Sequence, residues 1–205
     1  GLAVQGGTNT DRHIDGMLEA LKFENSEKPK LVHRIDKDTS GVLVLARNRR
    51  YAELLTKAFR EHMLQKTYLV LAIGNLKNPE GEIKIALDKV GEKMEPSDEG
   101  KKAVTRFKVL DTAGEKFTLL TAEPLTGRTH QIRAHMECAG CPILGDNKYF
   151  GQSRKRFPEL SSKLHLHAYK IDLSPVYNKK LVVKAPLPDY FKNDIKFLGL
   201  NFKEK

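Results

Sequence analysis

The feature that most constrains the fold of this chain is a series of short apolar segments, rich in β-branched residues and bounded by turn residues. Segments of this kind are typical of β-strands. We predict strands over residues 41–46, 66–74, 103–110, 117–124, 163–173 and 179–186. The sequence DTAGEK, which separates two of them, predicts a hairpin. Strands joined by short turns pair antiparallel, so the pattern indicates a mixed, mainly antiparallel sheet.

Helical periodicity is confined to a few places between the strands. Apolar spacing predicts helices over 14–23, 49–62 and 127–140, with Asn48 as the N-cap of the second and Gly140 ending the third. The charged stretch 90–101 is predicted to be a loop. Helices interspersed among strands indicate the α+β class, and 205 residues suit one domain, residues 1–205.

The net charge of the chain is +10, from 36 basic and 26 acidic residues. Such an excess makes nucleic acid a candidate partner, because basic side chains bound to phosphates release condensed counterions. Two basic segments, 147–156 and 177–186, are suited to following a phosphate backbone, although solvated basic loops have the same composition.

The sequence as given carries no recognisable targeting signal. It has no apolar run long enough for a membrane span and no signal-peptide pattern, so we expect a cytoplasmic protein. Because the chain opens on Gly1 rather than Met, we expect a piece of a longer protein with an upstream domain.

The two cysteines, Cys138 and Cys141, have the C-x-x-C spacing of a thiol redox pair or of half a zinc site. Nearby histidines are the other ligand candidates: His130, His135, His165 and His167. A second C-x-x-C, or a histidine pair at zinc-finger spacing, is missing. The pattern therefore favours two unlinked thiols over a metal or redox site.

The segment LVHRIDKDTSG (31–41) concentrates polar side chains directly before an apolar run. Asp38, Thr39 and Ser40 are residues that bond local backbone in turns, and Gly41 permits an unusual turn conformation. Asp36 is a different case. Next to a buried strand its carboxylate would be partly desolvated, so it needs a cationic partner.

A cationic partner is available in GRTHQIRAH (127–135). Arg128 falls in the turn at the start of the predicted helix, and Arg133 lies one turn inside it. A guanidinium suits bidentate contacts with carboxylate or phosphate, although two surface arginines are the simpler interpretation. Lys66 and Tyr68 share one face of the strand 66–74, where a tyrosine most often serves packing.

Three separated segments together resemble the motifs of the RluA-type pseudouridine synthases, in the same order and at similar separations. They are HRIDKDTSGVLVLARN, QKTYLVLAIG and PLTGRTHQIRAHMECAGCPILGDNKYFG. The resemblance spans most of residues 1–173 and is nearest to the subgroup that acts on large-subunit ribosomal RNA. The departures are Ile35, where leucine is usual, and Cys141, at a position that tolerates several residues.

The resemblance implies a pseudouridine synthase fold: α+β, a mainly antiparallel sheet with flanking helices, and a central RNA-binding cleft. It also implies an enzyme that isomerises uridine to pseudouridine in RNA, with ribosomal RNA the first expectation and transfer RNA the second. No cofactor and no metal are implied, and we expect a monomer. Family members often carry an N-terminal S4-like RNA-binding domain, which this sequence does not contain.

By resemblance, Asp36 is the catalytic aspartate, Arg133 its ion-pair partner, and Tyr68 the tyrosine that stacks on the target base or acts as a general base. Asp36 suits covalent attack or assisted glycal formation, and the sequence does not distinguish them. Arg34 is expected to fill the space that a flipped uridine leaves. Further substrate contacts are expected at Ile132, His33, Arg128 and Lys66. For His33 a structural role is equally open.

Two other classes of function remain open from the sequence. One is an RNA-binding module of the same fold without activity, which an intact Asp36, Tyr68 and Arg133 disfavours. The other is a zinc or thiol-redox protein built on Cys138 and Cys141.

Overall fold

The computed structural model describes residues 2–6, 12–24, 26–150 and 156–203. The strands are β1 (Lys30–Leu31), β2 (Ser40–Gly41), β3 (Leu45–Ala46), β4 (Gln65–Ile73), β5 (Glu80–Lys84), β6 (Leu87–Val90), β7 (Lys93–Pro96), β8 (Val104–Ala113), β9 (Phe117–Pro124), β10 (Leu166–Asp172) and β11 (Val182–Lys184). The α-helices are α1 (Ile14–Met17), α2 (Arg49–Arg60), α3 (Gln131–Cys138), α4 (Ser174–Tyr177) and α5 (Asp189–Phe197), with a 3₁₀ turn at Leu18–Leu21.

The main sheet of the described residues has seven strands in the order β11–β10–β4–β9–β8–β5, with β2 pairing to β10. Every pair in it is antiparallel except β2–β10, which is parallel. The α+β class and the mixed, mainly antiparallel sheet are therefore confirmed. None of the helices in the described part of the chain is long and apolar enough to cross a membrane.

Strand β4 is the centre of the molecule because both of its faces are buried. Leu69 and Leu71 point into one apolar cluster, which includes Phe191 of α5. Val70 and Ala72 point into a second cluster, which includes α3 residues. Alternation along a strand then places Lys66 and Tyr68 on the α3 side, and it confirms the common face that the sequence predicts.

Helix α2 covers a third apolar cluster, in which Leu55 and Ala58 pack with Ile171 of β10. Its start is as predicted: the Asn48 side chain accepts a hydrogen bond from the Tyr51 N–H at 3.1 Å. It ends earlier than predicted, at Arg60, because His62 adopts a left-handed conformation with φ 55°. The Met63 N–H then bonds to the Ala58 carbonyl at 3.0 Å, which closes the helix end.

The predicted strand over 41–46 is wrong as a single element. Only β2 and β3 at its two ends make ladder bonds, and they belong to different sheets. Gly41 has φ 112°, and a side chain there would meet the Ala168 carbonyl oxygen. Past this close approach the chain leaves β10, and the Val44 N–H donates to His33 Nε2 at 2.8 Å instead of to a strand.

Three other predicted boundaries change. The loop 90–101 is wrong in part, because β6 and β7 form a hairpin there. The helix 14–23 is only α1 followed by the 3₁₀ turn, and Phe23 stops it with φ 49°. The helix 127–140 begins at Gln131, since His130 is left-handed, and it ends before Gly140 at φ 72° as predicted.

The remaining strand predictions are confirmed with shifted ends, and the β8–β9 hairpin has the expected pairing. Sequence patterning missed β1, β5, α4 and α5. Of the basic segment 147–156, residues 151–155 lie outside the described residues, as do positions 1 and 7–11 near the N-terminus.

His33 pins the turn that carries Asp36, and it does so as a neutral ring. It stacks on Phe59 with ring centroids 4.2 Å apart, and its Nε2 accepts from Val44. Burial, together with the nearby charge of Lys66, lowers the pKa of His33 from 6.5 to about 4. The ring therefore stays neutral in the folded chain over a pH range in which the unfolded chain protonates it.

This gives a prediction for acid stability. As the pH falls from about 6.5 to about 4, the unfolded chain takes up a proton at His33 that the folded chain excludes, so the free energy of unfolding falls, by about 3 kcal/mol. In His33→Gln, whose amide oxygen replaces the Nε2 acceptor, this contribution disappears and the fall is smaller by that amount. Urea unfolding between pH 7.5 and 4 measures it. Exposed His62→Gln serves as the control, and it should change the pH dependence of the free energy of unfolding much less. An equal pH dependence in wild type and His33→Gln would contradict the assignment.

Candidate active site

A cavity of about 410 Å³, here called the main cavity, opens between the turn at 33–39, the end of α2, the start of β4 and the loop 124–131. It collects most of the residues that the sequence singles out. Those lining it are His33, Arg34, Asp36, Lys66, Tyr68, Arg128 and Ile132. Arg133 lies behind the wall rather than in it. Four segments far apart in sequence therefore form one cleft.

Asp36 stands at the start of a tight turn on the cavity wall. The Thr39 N–H bonds to the Asp36 carbonyl at 3.0 Å, which confirms the turn that the sequence predicts. The turn hydroxyls do not bond local backbone, however. Ser40 Oγ lies 2.8 Å from Nδ1 of His167 on β10, and Thr39 Oγ1 is buried without a partner in the described chain. The Asp36 turn is thus fixed against the sheet.

Arg133 lies beneath Asp36 with only 6% of its side chain exposed. Its Nη1 is 3.8 Å from Asp36 Oδ2, an ion pair too long for a hydrogen bond. Burial by itself would lower the pKa of the guanidinium, but hydrogen bonding to Asp146 and the charges of Asp146 and Asp36 raise it. Arg133 is therefore a permanent cation directed at the Asp36 carboxylate.

Asp146 is the residue that sequence reasoning missed. Its carboxylate is fully buried and holds Arg133 with two hydrogen bonds, Nε to Oδ2 at 2.7 Å and Nη2 to Oδ1 at 2.8 Å. The backbone N–H groups of Lys148 and Tyr149 also donate to Oδ1, each at 3.0 Å. The available signal was its place in GDNKYFG, the end of the third motif segment.

Tyr149 completes the support for Arg133. The guanidinium carbon lies 5.2 Å from the centre of its ring, within the range of a cation–π contact. Its hydroxyl accepts from the Met94 N–H of β7 at 2.8 Å and lies 3.2 Å from Nδ1 of His130, which lines the cavity. Hairpin β6–β7 is thereby linked to the cavity wall.

Lys66 and Tyr68 form the floor of the cavity. Burial lowers the pKa of Lys66, and no acidic side chain of the described chain lies close enough to form an ion pair with it. Burial, and then the charge of Asp36, raise the pKa of Tyr68, so its hydroxyl stays protonated at neutral pH. The floor thus offers one under-neutralised cation and one neutral phenol.

The loop before α3 is held by a polar network centred on Gln131, which the sequence patterns do not mark. Gln131 accepts from Thr126 Oγ1 at 2.6 Å and from the Arg128 N–H at 3.1 Å, and its amide donates to the Val104 carbonyl at 2.9 Å. Buried His135 lies 2.9 Å from Thr105 Oγ1. These bonds fix the backbone that presents Arg128 and Ile132 to the cavity.

The charge of the lining is strongly one-sided. Its cations are Arg34, Arg60, Lys66 and Arg128, and Asp36 is the one acidic residue among the described residues that line it. Arg60 was not singled out in the sequence. A cleft lined in this way attracts anions, and the single carboxylate on its wall is that of Asp36.

The C-x-x-C pair lies elsewhere. Cys138 and Cys141 are free thiols, and burial raises the pKa of both, which makes them poor nucleophiles. Cys141 packs in the second apolar cluster. In the described ranges, no group of three His, Cys, Asp or Glu side chains is arranged to hold a metal ion. Nothing in this geometry favours zinc binding or redox chemistry.

Comparison with known proteins identifies the family. Residues 1–138 match the family model for RNA pseudouridylate synthase. The chain is 38% identical to the ribosomal large subunit pseudouridine synthase C of Rickettsia bellii, over 93% of this chain and 64% of that protein. It is 34% identical to an uncharacterized RNA pseudouridine synthase of Zymomonas mobilis, over 93% of this chain and 88% of that protein.

A solved structure agrees with these matches. Human RNA Pseudouridylate Synthase Domain Containing 4 superposes with a TM-score of 0.82 at 27% identity, over all of this chain and 88% of that one. The chain spans somewhat less than two thirds of the Rickettsia bellii relative. The matched family model, the relatives and the fold agree, and the chain belongs to the RNA pseudouridylate synthase family.

Proposed function

We propose that this chain isomerises uridine to pseudouridine in RNA, with Asp36 at the reacting centre. The observation that carries the proposal is the single carboxylate in an otherwise cationic cavity, 3.8 Å from a buried arginine. In the reaction the N1–C1′ bond breaks, the uracil rotates, C5 bonds to C1′, and the C5 proton is lost while N1 gains one. An ionised carboxylate serves either as the nucleophile or as the group that assists glycal formation.

The cavity suits a uridine that has left its helix. A base inside a duplex is inaccessible, so it must rotate out at a cost of a few kcal/mol. Exposed Arg34 stands at the mouth of the cavity, where its planar guanidinium can stack on the bases left behind. Ile132 and Tyr68 supply the surfaces for the uracil ring. The raised pKa of Tyr68 favours stacking and hydrogen-bond donation over a role as phenolate base.

Large-subunit ribosomal RNA is the substrate that we propose first. The relatives from Rickettsia bellii and Borreliella burgdorferi carry this substrate in their names, at 38% and 35% identity. Transfer RNA is the second candidate substrate, with which turnover on ribosomal RNA is to be compared. An RNA-binding module without activity would not need a carboxylate held next to a buried arginine, so the geometry favours an enzyme.

The first test removes the charge of the carboxylate without changing its shape. We expect Asp36→Asn to lose at least about a hundredfold in turnover while keeping RNA affinity. The neutral amide can neither attack C1′ nor stabilise the positive charge that develops there. Release of tritium from RNA carrying [5-³H]uridine measures turnover. Exposed Asp38→Asn, in the same turn, is the matched control and should turn over normally. Undiminished turnover in Asp36→Asn would refute the proposed mechanism.

The second test removes the support of Arg133. Asp146→Asn weakens the bidentate contact, so Arg133 shifts relative to Asp36, and we expect kcat to fall about a hundredfold with KM little changed. The buried cation left behind also lowers the free energy of unfolding by about 3 kcal/mol. Kinetics well below the melting temperature separate the two effects. A variant that is less stable but has normal kcat would show that Asp146 acts on stability alone.

The third test concerns the cationic lining. Binding of single-stranded RNA should weaken steeply with salt, and each phosphate contact that is lost should reduce the slope of log K against log salt by about 0.7. Arg60, with 72% of its side chain exposed, is placed for such a contact, so Arg60→Ala should reduce the slope by that amount. Arg49→Ala, at the far end of α2 and paired with Glu53, should not. Anisotropy titrations at several salt concentrations measure these slopes. If Arg60→Ala has the same slope as the wild-type protein, Arg60 makes no phosphate contact.

A further inference from the structure

A second, smaller pocket of about 190 Å³ lies directly beside the main cavity; we call it the flanking pocket. Its lining residues are His62, Met63, Leu64, Gln65, Lys66, Arg106, Glu123, Pro124 and Leu125. His62, Lys66 and Pro124 also line the main cavity, so the two spaces share a wall. The flanking pocket is less than half the size of the main cavity, and it suits one base without its sugar and phosphate.

The shared wall contains a residue in an unusual conformation. His62 has φ 55°, at the position after the end of α2 where glycine is the common choice. Its ring faces Gly127, with Cε1 3.8 Å from the place where a side chain of Gly127 would begin. Partial burial and the charges of Lys66 and Arg128 lower the pKa of His62. A neutral, exposed ring is thus held between the two spaces, where a base can stack on it.

The rest of the pocket combines apolar walls with one polar edge. Met63 and Leu125 are 47% and 37% exposed. Glu123 Oε1 accepts from Gln65 Nε2 at 2.9 Å and from Thr67 Oγ1 at 3.3 Å. Glu123 Oε2 is 3.9 Å from Arg106 Nη1, beyond hydrogen-bond distance, and therefore keeps its accepting capacity. A planar ligand between the apolar walls meets an acceptor and a guanidinium at its edge.

We propose that the flanking pocket binds the base of the nucleotide next to the target uridine, and that it favours bases with an exocyclic amino group. The assignment rests on the proposed function, in which the main cavity takes the uridine itself. Consecutive nucleotides of a single strand would then lie on the two sides of His62. Carboxylates accept hydrogen bonds from amino groups such as cytosine N4. Uracil has only N3–H as a donor on this edge, and that group lies between two carbonyl oxygens, which the carboxylate repels.

Glu123→Gln gives a sharp test, because Oε1 is already committed as an acceptor. The amide oxygen keeps that place, so the amide NH₂ replaces Oε2 and turns an acceptor into a donor. The preference should shift from amino-bearing bases to uracil. The measurement is anisotropy binding of five-nucleotide RNAs with a central uridine, in which the 5′ or the 3′ neighbour is adenine, cytosine, guanine, uracil or abasic.

Wild-type protein should bind the best amino-bearing neighbour about tenfold more tightly than uracil or the abasic site, on one side of the target only. Glu123→Gln should remove this gain or reverse it toward uracil. Glu82→Gln is the matched control: Glu82 contacts Arg106 at 3.1 Å, but it does not line the flanking pocket. The control should keep the wild-type ranking.

Equal affinity of the wild-type protein for all neighbours, abasic included, would overturn the proposal. So would a control that changes the ranking as much as Glu123→Gln, because the effect would then be one of charge rather than of contact. Affinity does not depend on turnover, so the two proposals fail separately. A clear preference without any pseudouridine formed would leave the flanking pocket standing and refute the proposed activity.

Discussion

The guanidinium of Arg133 is buried, and the rest of the site depends on how its charge is compensated. An unpaired cation in this position would cost several kcal/mol, so its neighbours must provide acceptors and negative charge. Asp146 supplies both through two short hydrogen bonds, and the Tyr149 ring covers the guanidinium. Asp36 approaches from the cavity side. Helix α3, the loop that follows it and the turn 36–39 are therefore held together by one charge.

The sheet makes this arrangement possible because its central strand is covered on both faces. Helix α5 packs on one side of β4, and α3 packs on the other. With α3 fixed against the sheet, Arg133 has a defined position relative to Tyr68 of β4. The parallel contact of β2 with β10 requires Gly41, and it brings the Asp36 turn close to Arg133. Arg133 and Tyr68 thus stand on a helix and a strand, whereas Asp36 stands on a turn that is fixed against the sheet.

Sequence reasoning succeeded where a pattern is periodic or a motif is complete. The alternation in β4 predicted the common face of Lys66 and Tyr68. The motif segments singled out Asp36 and Arg133, which lie 3.8 Å apart, and their roles stay predictions. It failed where tertiary contacts decide the outcome. Val42 and Val44 look like strand residues, yet they pack on the cluster under α2 while His33 takes the Val44 N–H. The hairpin β6–β7 is so polar that it resembles a loop, and no periodicity marks Asp146, whose role depends on Arg133.

The distances around Arg133 also bear on the reactivity of Asp36. The guanidinium is held at 2.7 and 2.8 Å by Asp146 but stays 3.8 Å from Asp36. If Asp36 were its only anion, the fork of Arg133 would form short bidentate bonds to it, and both carboxylate oxygens would be engaged. Because Asp146 takes the directional bonds of Arg133, Asp36 has the nearby positive charge without losing its lone pairs to hydrogen bonds from that guanidinium. Such a carboxylate keeps an oxygen free to act on the sugar, which either proposed mechanism requires.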